Sequence, residues 1–230
     1  MTDKATTVDQ VIRDRQTTKV FSSMPFHANT DRALVDELIA SAGWAPFHRF
    51  AAPERVERSG LPSGVPWRFY AIDAANSRCL RDIVVARGVN DNIPRMLASC
   101  TATILVTWLP NPARTHAELI DVSQPNTGEL FEGTEHNMEH IAATAAAIQT
   151  LLLAATARGV ATFWSSGGVL RRAETFSLLG IPRDEILLGA VYLFPSETAD
   201  AEIATSKQRD KRGAPSEWSR WITVSSRADD

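Results

Sequence analysis

Cysteine is scarce in this chain, and so is net charge of either sign. Of 230 residues only two are cysteines, Cys79 and Cys100. Two such distant residues form neither a disulfide framework nor a zinc-ligand pattern, so we expect a reducing, cytoplasmic compartment. The formal net charge of −3 argues against a global field that favours nucleic acid or an anionic membrane. Any anion-binding site must therefore be local.

Long apolar runs and glycine-rich nucleotide motifs are also missing. No uninterrupted apolar segment reaches the roughly 18 residues of a membrane-spanning helix, and the polar start predicts no signal peptide. No Gly-x-Gly-x-x-Gly fingerprint is present, so no dinucleotide site of that type is predicted. The length of 230 residues fits a single domain over residues 1–230, and no nucleic-acid or membrane partner is expected.

The segment 15–21, Arg-Gln-Thr-Thr-Lys-Val-Phe, is the first feature that points to chemistry. It places two cations, an amide and two hydroxyls just after a short amphipathic helix. Arginine offers a planar fork to phosphate oxygens, lysine a point charge and threonine a hydroxyl donor. The cluster therefore suits a phosphate monoester, and a solvated basic helix end is the alternative interpretation.

Hydrophobic periodicity predicts alternating helices and strands. Helices are indicated over 30–42, 73–85, 92–97, 136–158 and 171–179. Apolar strands are indicated over 66–72, 103–109, 160–164 and 186–194. Segment 51–65 is polar and rich in turn residues and is predicted as a loop insertion, and 110–134 as a loop that covers the substrate. Helices that cover a small sheet indicate an α/β or α+β domain.

Several short motifs, in their order along the chain, resemble the flavin-dependent nitroreductase family. Segment 15–21 resembles the family's opening basic motif, which binds the phosphate and the pyrimidine edge of FMN. Ala45-Pro46 with the later Pro66-Trp67 resembles its Ala-Pro…Gln-Pro-Trp segment. The remaining landmarks are Asn92-x-x-Arg95, the segment 162–167, the Leu-Gly-Ile-Pro at 179–182 with the strand after it, and the basic run 207–212. Together they cover most of the chain.

This resemblance implies a fold, a cofactor and an activity. The expected fold is α+β, a small mixed, mostly antiparallel sheet flanked by helices, in an intertwined homodimer with FMN at the subunit interface. The expected activity is NAD(P)H-dependent oxidoreduction. NAD(P)H reduces the bound flavin, which then reduces an electron-poor nitroaromatic, quinone or enone by a ping-pong mechanism. No side chain is expected to be essential as an acid or base.

The resemblance also assigns site residues. Charge for FMN would come from Arg15, Lys19 and Arg212, with Arg95 beside N1 and O2. A backbone N–H of the turn at Ser166 and Gly167 would face N5. The full predicted cofactor set is Arg15, Gln16, Thr17, Lys19, Pro46, His48, Asn92, Arg95, Ser166, Gly167, Lys211 and Arg212, with Trp44 and Phe47 on the substrate side. The chain departs from the family at Gln16 and at Phe47-His48-Arg49, so the main departure lies on the substrate side.

Three alternatives stay open. His136-Asn137-Met138-Glu139-His140 matches the H-x-x-E-H pattern of inverzincins, so a zinc hydrolase that uses His136, Glu139 and His140 is one. A non-catalytic flavin-binding protein on the same scaffold is the second. A related chemistry on the same fold, such as dehalogenation or oxidative flavin cleavage, is the third. The main interpretation includes no metal.

Overall fold

The structure is a computed structural model that describes residues 3–22, 25–26, 29–111, 133–196 and 201–222. Its elements in chain order are α1 (Lys4–Asp14), β1 (Thr18–Phe21), α2 (Arg32–Ala42), α3 (Pro53–Ser59), β2 (Trp67–Asp73), α4 (Ala74–Ala86), α5 (Asn92–Ser99), β3 (Ala102–Trp108), α6 (Glu135–Ala157), β4 (Ala161–Ser165), α7 (Ala173–Leu179), β5 (Ile186–Phe194) and β6 (Glu202–Thr205). Short 3-10 turns follow β4 and β6 at Gly168–Arg171, Arg209–Lys211 and Pro215–Glu217.

A four-stranded antiparallel sheet in the order β2-β3-β5-β4 forms the centre of the fold. Strands β1 and β6 form a separate antiparallel ribbon. A parallel bridge between Thr17 and Thr162 joins the start of this ribbon to β4. The predicted α+β class, with a mixed and mostly antiparallel sheet flanked by helices, is therefore confirmed.

Helices cover both faces of the central sheet. On one face α2 and α6 pack against residues such as Ile104, Val106 and Val191. On the other face α4, α5 and α7 pack around Leu105 and Tyr192. All seven residues of β3 are buried, which is why its sequence is a continuous apolar run rather than an alternating one.

Side-chain caps set where four of the helices begin. Asp31, Asp73, Asp91 and Thr134 each accept a hydrogen bond from a backbone N–H in the first turn that follows. Such a cap is worth about 1 kcal/mol. Helix α6, which begins after Thr134, is long and apolar enough for a membrane span by length and composition. The core helix of a soluble protein passes the same test.

The structure adds detail that the sequence patterns did not predict. Segment 51–65 carries α3, and Arg55 of this helix pairs with Asp184 at 3.2 Å. The buried guanidinium of Arg68 donates to three carbonyls of this segment, those of Leu61, Ser63 and Val65. The short strands β1 and β6 were also missed, because four residues carry too little periodicity to be recognised. The loop predicted over 110–134 lies almost entirely outside the described residues.

Candidate functional site

Four arginines from opposite ends of the chain meet at one cavity of about 440 Å³. Arg13 and Arg15 come from the end of α1, and Arg209 and Arg212 come from the residues after β6. None of the described residues that line this arginine cavity is acidic. The cavity therefore concentrates positive charge in a protein whose net charge is negative.

Backbone pairing explains why residues 196 positions apart become neighbours. Thr18 of β1 lies opposite Thr205 of β6, and the N–H of Ser206 donates to the carbonyl of Thr17 at 3.1 Å. The Arg209 guanidinium donates to the carbonyl of Arg13, beside the last turn of α1. Carbonyls at a helix C-terminus lack intrahelical partners and carry partial negative charge, so a cation is favourable there.

The electrostatics of Arg15 indicate a site for an anion. Its side chain is half-buried. Burial lowers the pKa of the Arg15 guanidinium, and the charges of Arg212 and Arg209 lower it further. Like charges held together without a counter-charge cost free energy, and a bound anion reverses that cost.

The rest of the arginine cavity is uncharged. Thr17 and Thr162 contribute hydroxyls, Gln149 contributes an amide, and Leu152 and Trp164 contribute apolar surface. Both Gln149 and Leu152 lie on α6, and Thr162 and Trp164 lie on β4. The cavity thus combines an anion-binding end with room for a larger organic group.

The structure brings only part of the predicted basic set to this cavity. Arg15, Thr17 and Arg212 line it, whereas Gln16 and Lys211 are exposed and lie outside its lining. Lys19 places its Nζ 4.7 Å from the centre of the Phe163 ring. At that distance its charge interacts with the ring face.

Arg95 of α5 contacts the β1–β6 ribbon, and neither Arg95 nor Asn92 lines the arginine cavity. Asn92 is exposed at the first position of the helix. Arg95 lies over the Phe21 ring at 4.8 Å and pairs with Glu202 at 2.8 Å. Both contacts join α5 to the same ribbon that brings the arginines together.

Ser166 and Gly167 form the turn directly after β4. Gly167 has a φ of 104°, and a Cβ at this position would lie 2.5 Å from Cδ2 of Leu187. The positive φ favours glycine there, because L side chains rarely adopt it. The Gly167 N–H donates to Oγ of Ser165 at 3.2 Å.

The predicted aromatic segment lies apart from the arginines. Trp44 is 88% exposed, and Pro46 and His48 are also exposed. Phe47 packs edge-to-face against Trp67, with ring centres 5.6 Å apart. None of these residues lines the arginine cavity.

The described part of the chain contains no metal site for the zinc alternative. His136 and His140 meet edge-to-face with ring centres 4.7 Å apart, and Nδ1 of His140 donates to the carbonyl of Leu109 at 2.8 Å. Glu139 pairs with Arg49 at 2.7 Å. Within the described ranges, no group of three or more His, Cys, Asp or Glu side chains is arranged to hold a metal ion.

Of the ten described residues that line the cavity, the predicted site set missed seven: Ile12, Arg13, Gln149, Leu152, Thr162, Trp164 and Arg209. The basic character near segment 15–21 and within 207–212 was a signal for the two arginines. Gln149 and Trp164 carry no local signal, because they become neighbours only when α6 packs beside β4.

Comparisons with known proteins bear on the family and the fold of the chain. Residues 12–193 match the sequence model of the Nitroreductase family. A nitroreductase-like family protein from Bacillus cereus has a TM-score of 0.57 at 20% identity, covering 97% of this chain and 100% of that chain. A nitroreductase from Desulfovibrio desulfuricans, solved in complex with FMN, has a TM-score of 0.56 at 19% identity, covering 98% and 100%.

A third structure, B. megaterium NfrA1, has a TM-score of 0.52 at 17% identity, covering 85% of this chain and 69% of that chain. No curated protein matches the chain in sequence. At these identities the structural likeness establishes the fold alone, and the predicted α+β fold is confirmed.

Proposed function

The chain belongs to the nitroreductase family, and from this premise we propose that it is an FMN-dependent oxidoreductase. The observation that carries the proposal is the arginine cavity, whose lining is cationic and free of described acidic residues. Its half-buried Arg15 lies beside the charges of Arg209 and Arg212. These groups fit the dianionic phosphate of FMN, and a similarly folded D. desulfuricans protein was solved with FMN.

The phosphate would be held by Arg15, Arg209 and Arg212, with the Thr17 hydroxyl as a further donor. Guanidinium groups suit this role because each presents several N–H donors in a fixed plane. A hydrogen bond to a charged group contributes about 1.5–3 kcal/mol. Several such bonds would hold the cofactor through repeated turnover.

Other parts of FMN would be bound by residues outside the cavity lining. Lys19 and Arg95 are the proposed cations, and the Gly167 N–H is the proposed donor near N5. Arg95 is paired with Glu202, and the Gly167 N–H donates to Ser165. Contacts with the cofactor must therefore replace these two contacts when it binds. Gln16, Pro46, His48, Asn92, Ser166 and Lys211 remain predictions from the resemblance.

FMN, when bound, supplies the hydride chemistry. We propose that this chemistry carries electrons from NAD(P)H to an electron-poor nitroaromatic, quinone or enone in two separate half-reactions. The chain's own residues bind and orient these molecules, and none is proposed as an essential acid or base. Trp44 and Phe47 are proposed for the substrate side.

We further propose a cytoplasmic homodimer whose subunits are single domains over residues 1–230, with 51–65 as an insertion and 110–134 as a covering loop. The exposed apolar residues of the tail support the dimer. Trp218 is 67% exposed and Ile222 is 75% exposed in the single chain. Large apolar side chains exposed together are typical of a surface that a partner covers.

A visible absorption spectrum of the purified protein, before and after anaerobic NADH or NADPH, tests the proposal. Bound flavin that bleaches with either donor and is reoxidised by nitroaromatics, quinones or enones is the expected result. Flavin that does not bleach indicates the non-catalytic alternative. Colourless protein that takes up no added FMN refutes the proposal.

A further inference from the structure

Trp164 forms part of the arginine cavity, and its position depends on a glycine in the next strand. A Cβ at Gly189 of β5 would lie 2.1 Å from Nε1 of Trp164 and 2.6 Å from the carbonyl oxygen of Ser165. Both distances are far below ordinary van der Waals contact. The edge of the indole and the Ser165 carbonyl together therefore occupy the space that any other residue at position 189 would fill with its side chain.

The absent side chain, not backbone freedom, explains glycine at this position. Gly189 lies within β5, opposite Val106 of β3. Strand β5 bulges at the preceding residue, because the register passes from Leu187 opposite Thr107 directly to Gly189 opposite Val106. Such bulges re-aim neighbouring groups. Here the bulge lies beside the indole.

The bulge is tied to the turn that follows Trp164. The Arg171 guanidinium donates to the carbonyl of Ser166 at 2.6 Å and to the carbonyl of Leu188 at 3.3 Å. These two bonds join the end of β4 to the bulged residue of β5. The indole of Trp164, which belongs to β4, thus lies against Gly189 at a point where β4 and β5 are joined by these bonds.

Trp164 faces the space that the organic part of a phosphorylated ligand would enter. The arginines supply the charged lining of the cavity, and Trp164 and Leu152 supply apolar lining. Apart from the four arginines, the described lining offers the organic substituent only uncharged groups. The substituent therefore gains most by packing against the apolar lining.

We propose that Trp164, held in place across Gly189, contacts the organic part of the cofactor and makes the cavity select a phosphate carrying a large apolar group over free phosphate. Gly189 is then a positioning residue that acts through the indole. The inference rests on the proposed function, since it takes FMN as the ligand.

Titration calorimetry with two ligands, FMN and inorganic phosphate, tests this on the full chain freed of flavin. Trp164→Ala is expected to raise the FMN Kd about tenfold, which is about 1.4 kcal/mol. Trp164→Phe, which keeps an aromatic face, is expected to restore most of the affinity. Neither variant should change the phosphate Kd, whereas Arg15→Ala should weaken both ligands.

Gly189→Ala tests the positioning step. It is expected to raise the FMN Kd as Trp164→Ala does, and the double variant should add no further loss because both act on one contact. Arg87→Ala is the control for FMN binding, since Arg87 is exposed and lies outside the cavity lining. If Gly189→Ala does not fold, the two Trp164 variants decide the question alone.

Two other outcomes for Trp164→Ala would overturn the inference. Equal loss of FMN and phosphate in Trp164→Ala would mean that the indole only shapes the arginine cluster. No change with either ligand would mean that the indole does not touch the cofactor. In both cases the proposed function stands, because the wild-type chain still binds FMN. A wild-type chain that fails to bind FMN overturns both proposals.

Discussion

Arg15→Ala is expected to weaken FMN binding without destabilising the protein in the absence of FMN. The guanidinium is partly buried beside the charges of Arg209 and Arg212, and both burial and repulsion lower its pKa. Removing it relieves that repulsion, so the unfolding free energy without ligand should stay within about 0.5 kcal/mol of wild type or rise. Removing it also deletes one charge-assisted contact to the phosphate.

The size of the binding effect follows from the strength of that contact. A hydrogen bond to a charged group contributes about 1.5–3 kcal/mol, which raises the Kd by about 10- to 150-fold. At an FMN concentration 100 times the wild-type Kd, binding stabilises the wild type by about 2.7 kcal/mol. For a domain of 150–250 residues that is a melting-temperature rise of roughly 5–11 °C. If the Kd rises about 30-fold, the stabilisation falls to about 0.9 kcal/mol, or roughly 2–4 °C.

Thermal unfolding of wild type and Arg15→Ala, with and without FMN, measures both effects in one experiment. Arg87→Ala is the matched control, because Arg87 is an exposed arginine after α4 that lies outside the cavity lining. An unchanged FMN shift in Arg15→Ala would refute the phosphate assignment. A loss of more than about 1 kcal/mol without FMN would show instead that Arg15 stabilises the fold.

Four further predictions concern stability. Tyr192→Phe should raise the unfolding free energy by about 1 kcal/mol, because its buried hydroxyl has no hydrogen-bond partner within the described part of the chain. Tyr70→Phe should lower the unfolding free energy by about 1–2 kcal/mol, since the Tyr70 hydroxyl donates to Glu185 at 2.7 Å. Urea unfolding in which the two tyrosine variants change stability in the same direction would contradict this reasoning. Burial raises the pKa of the Glu185 carboxyl, so folding favours the protonated carboxyl. The stability that this carboxyl contributes is therefore lost as the pH rises from its unfolded pKa of about 4.3 through its raised folded pKa. The stability of Glu185→Gln relative to wild type should therefore improve between pH 4.5 and pH 7, and a constant difference would argue against the shift. Gly189→Ala should lower the unfolding free energy by about 1–3 kcal/mol through overpacking. Gly133→Ala should be nearly neutral, because no described atom lies within 4 Å of a Cβ there. Equal effects of the two variants in urea unfolding would contradict the close approach of the indole to Gly189.

The candidate site was partly predictable because some of its chemistry is local. Arg15 and Thr17 belong to one short motif, and Arg212 to a basic run, so residue type and order were enough to select them. Trp164 was not predicted, because an aromatic residue in a short strand is usually core. Its role depends on a missing side chain at Gly189, in a different strand.

The sequence by itself determined the local elements and the chemistry available to the protein. Continuous apolar residues required β3 to be covered on both faces, and the Thr134 side chain set the start of α6. Only the tertiary structure decided that Arg13 would meet Arg209, because this contact depends on pairing between β1 and β6 across most of the chain. Local patterns act over a few residues, whereas a binding site depends on distances that packing alone determines.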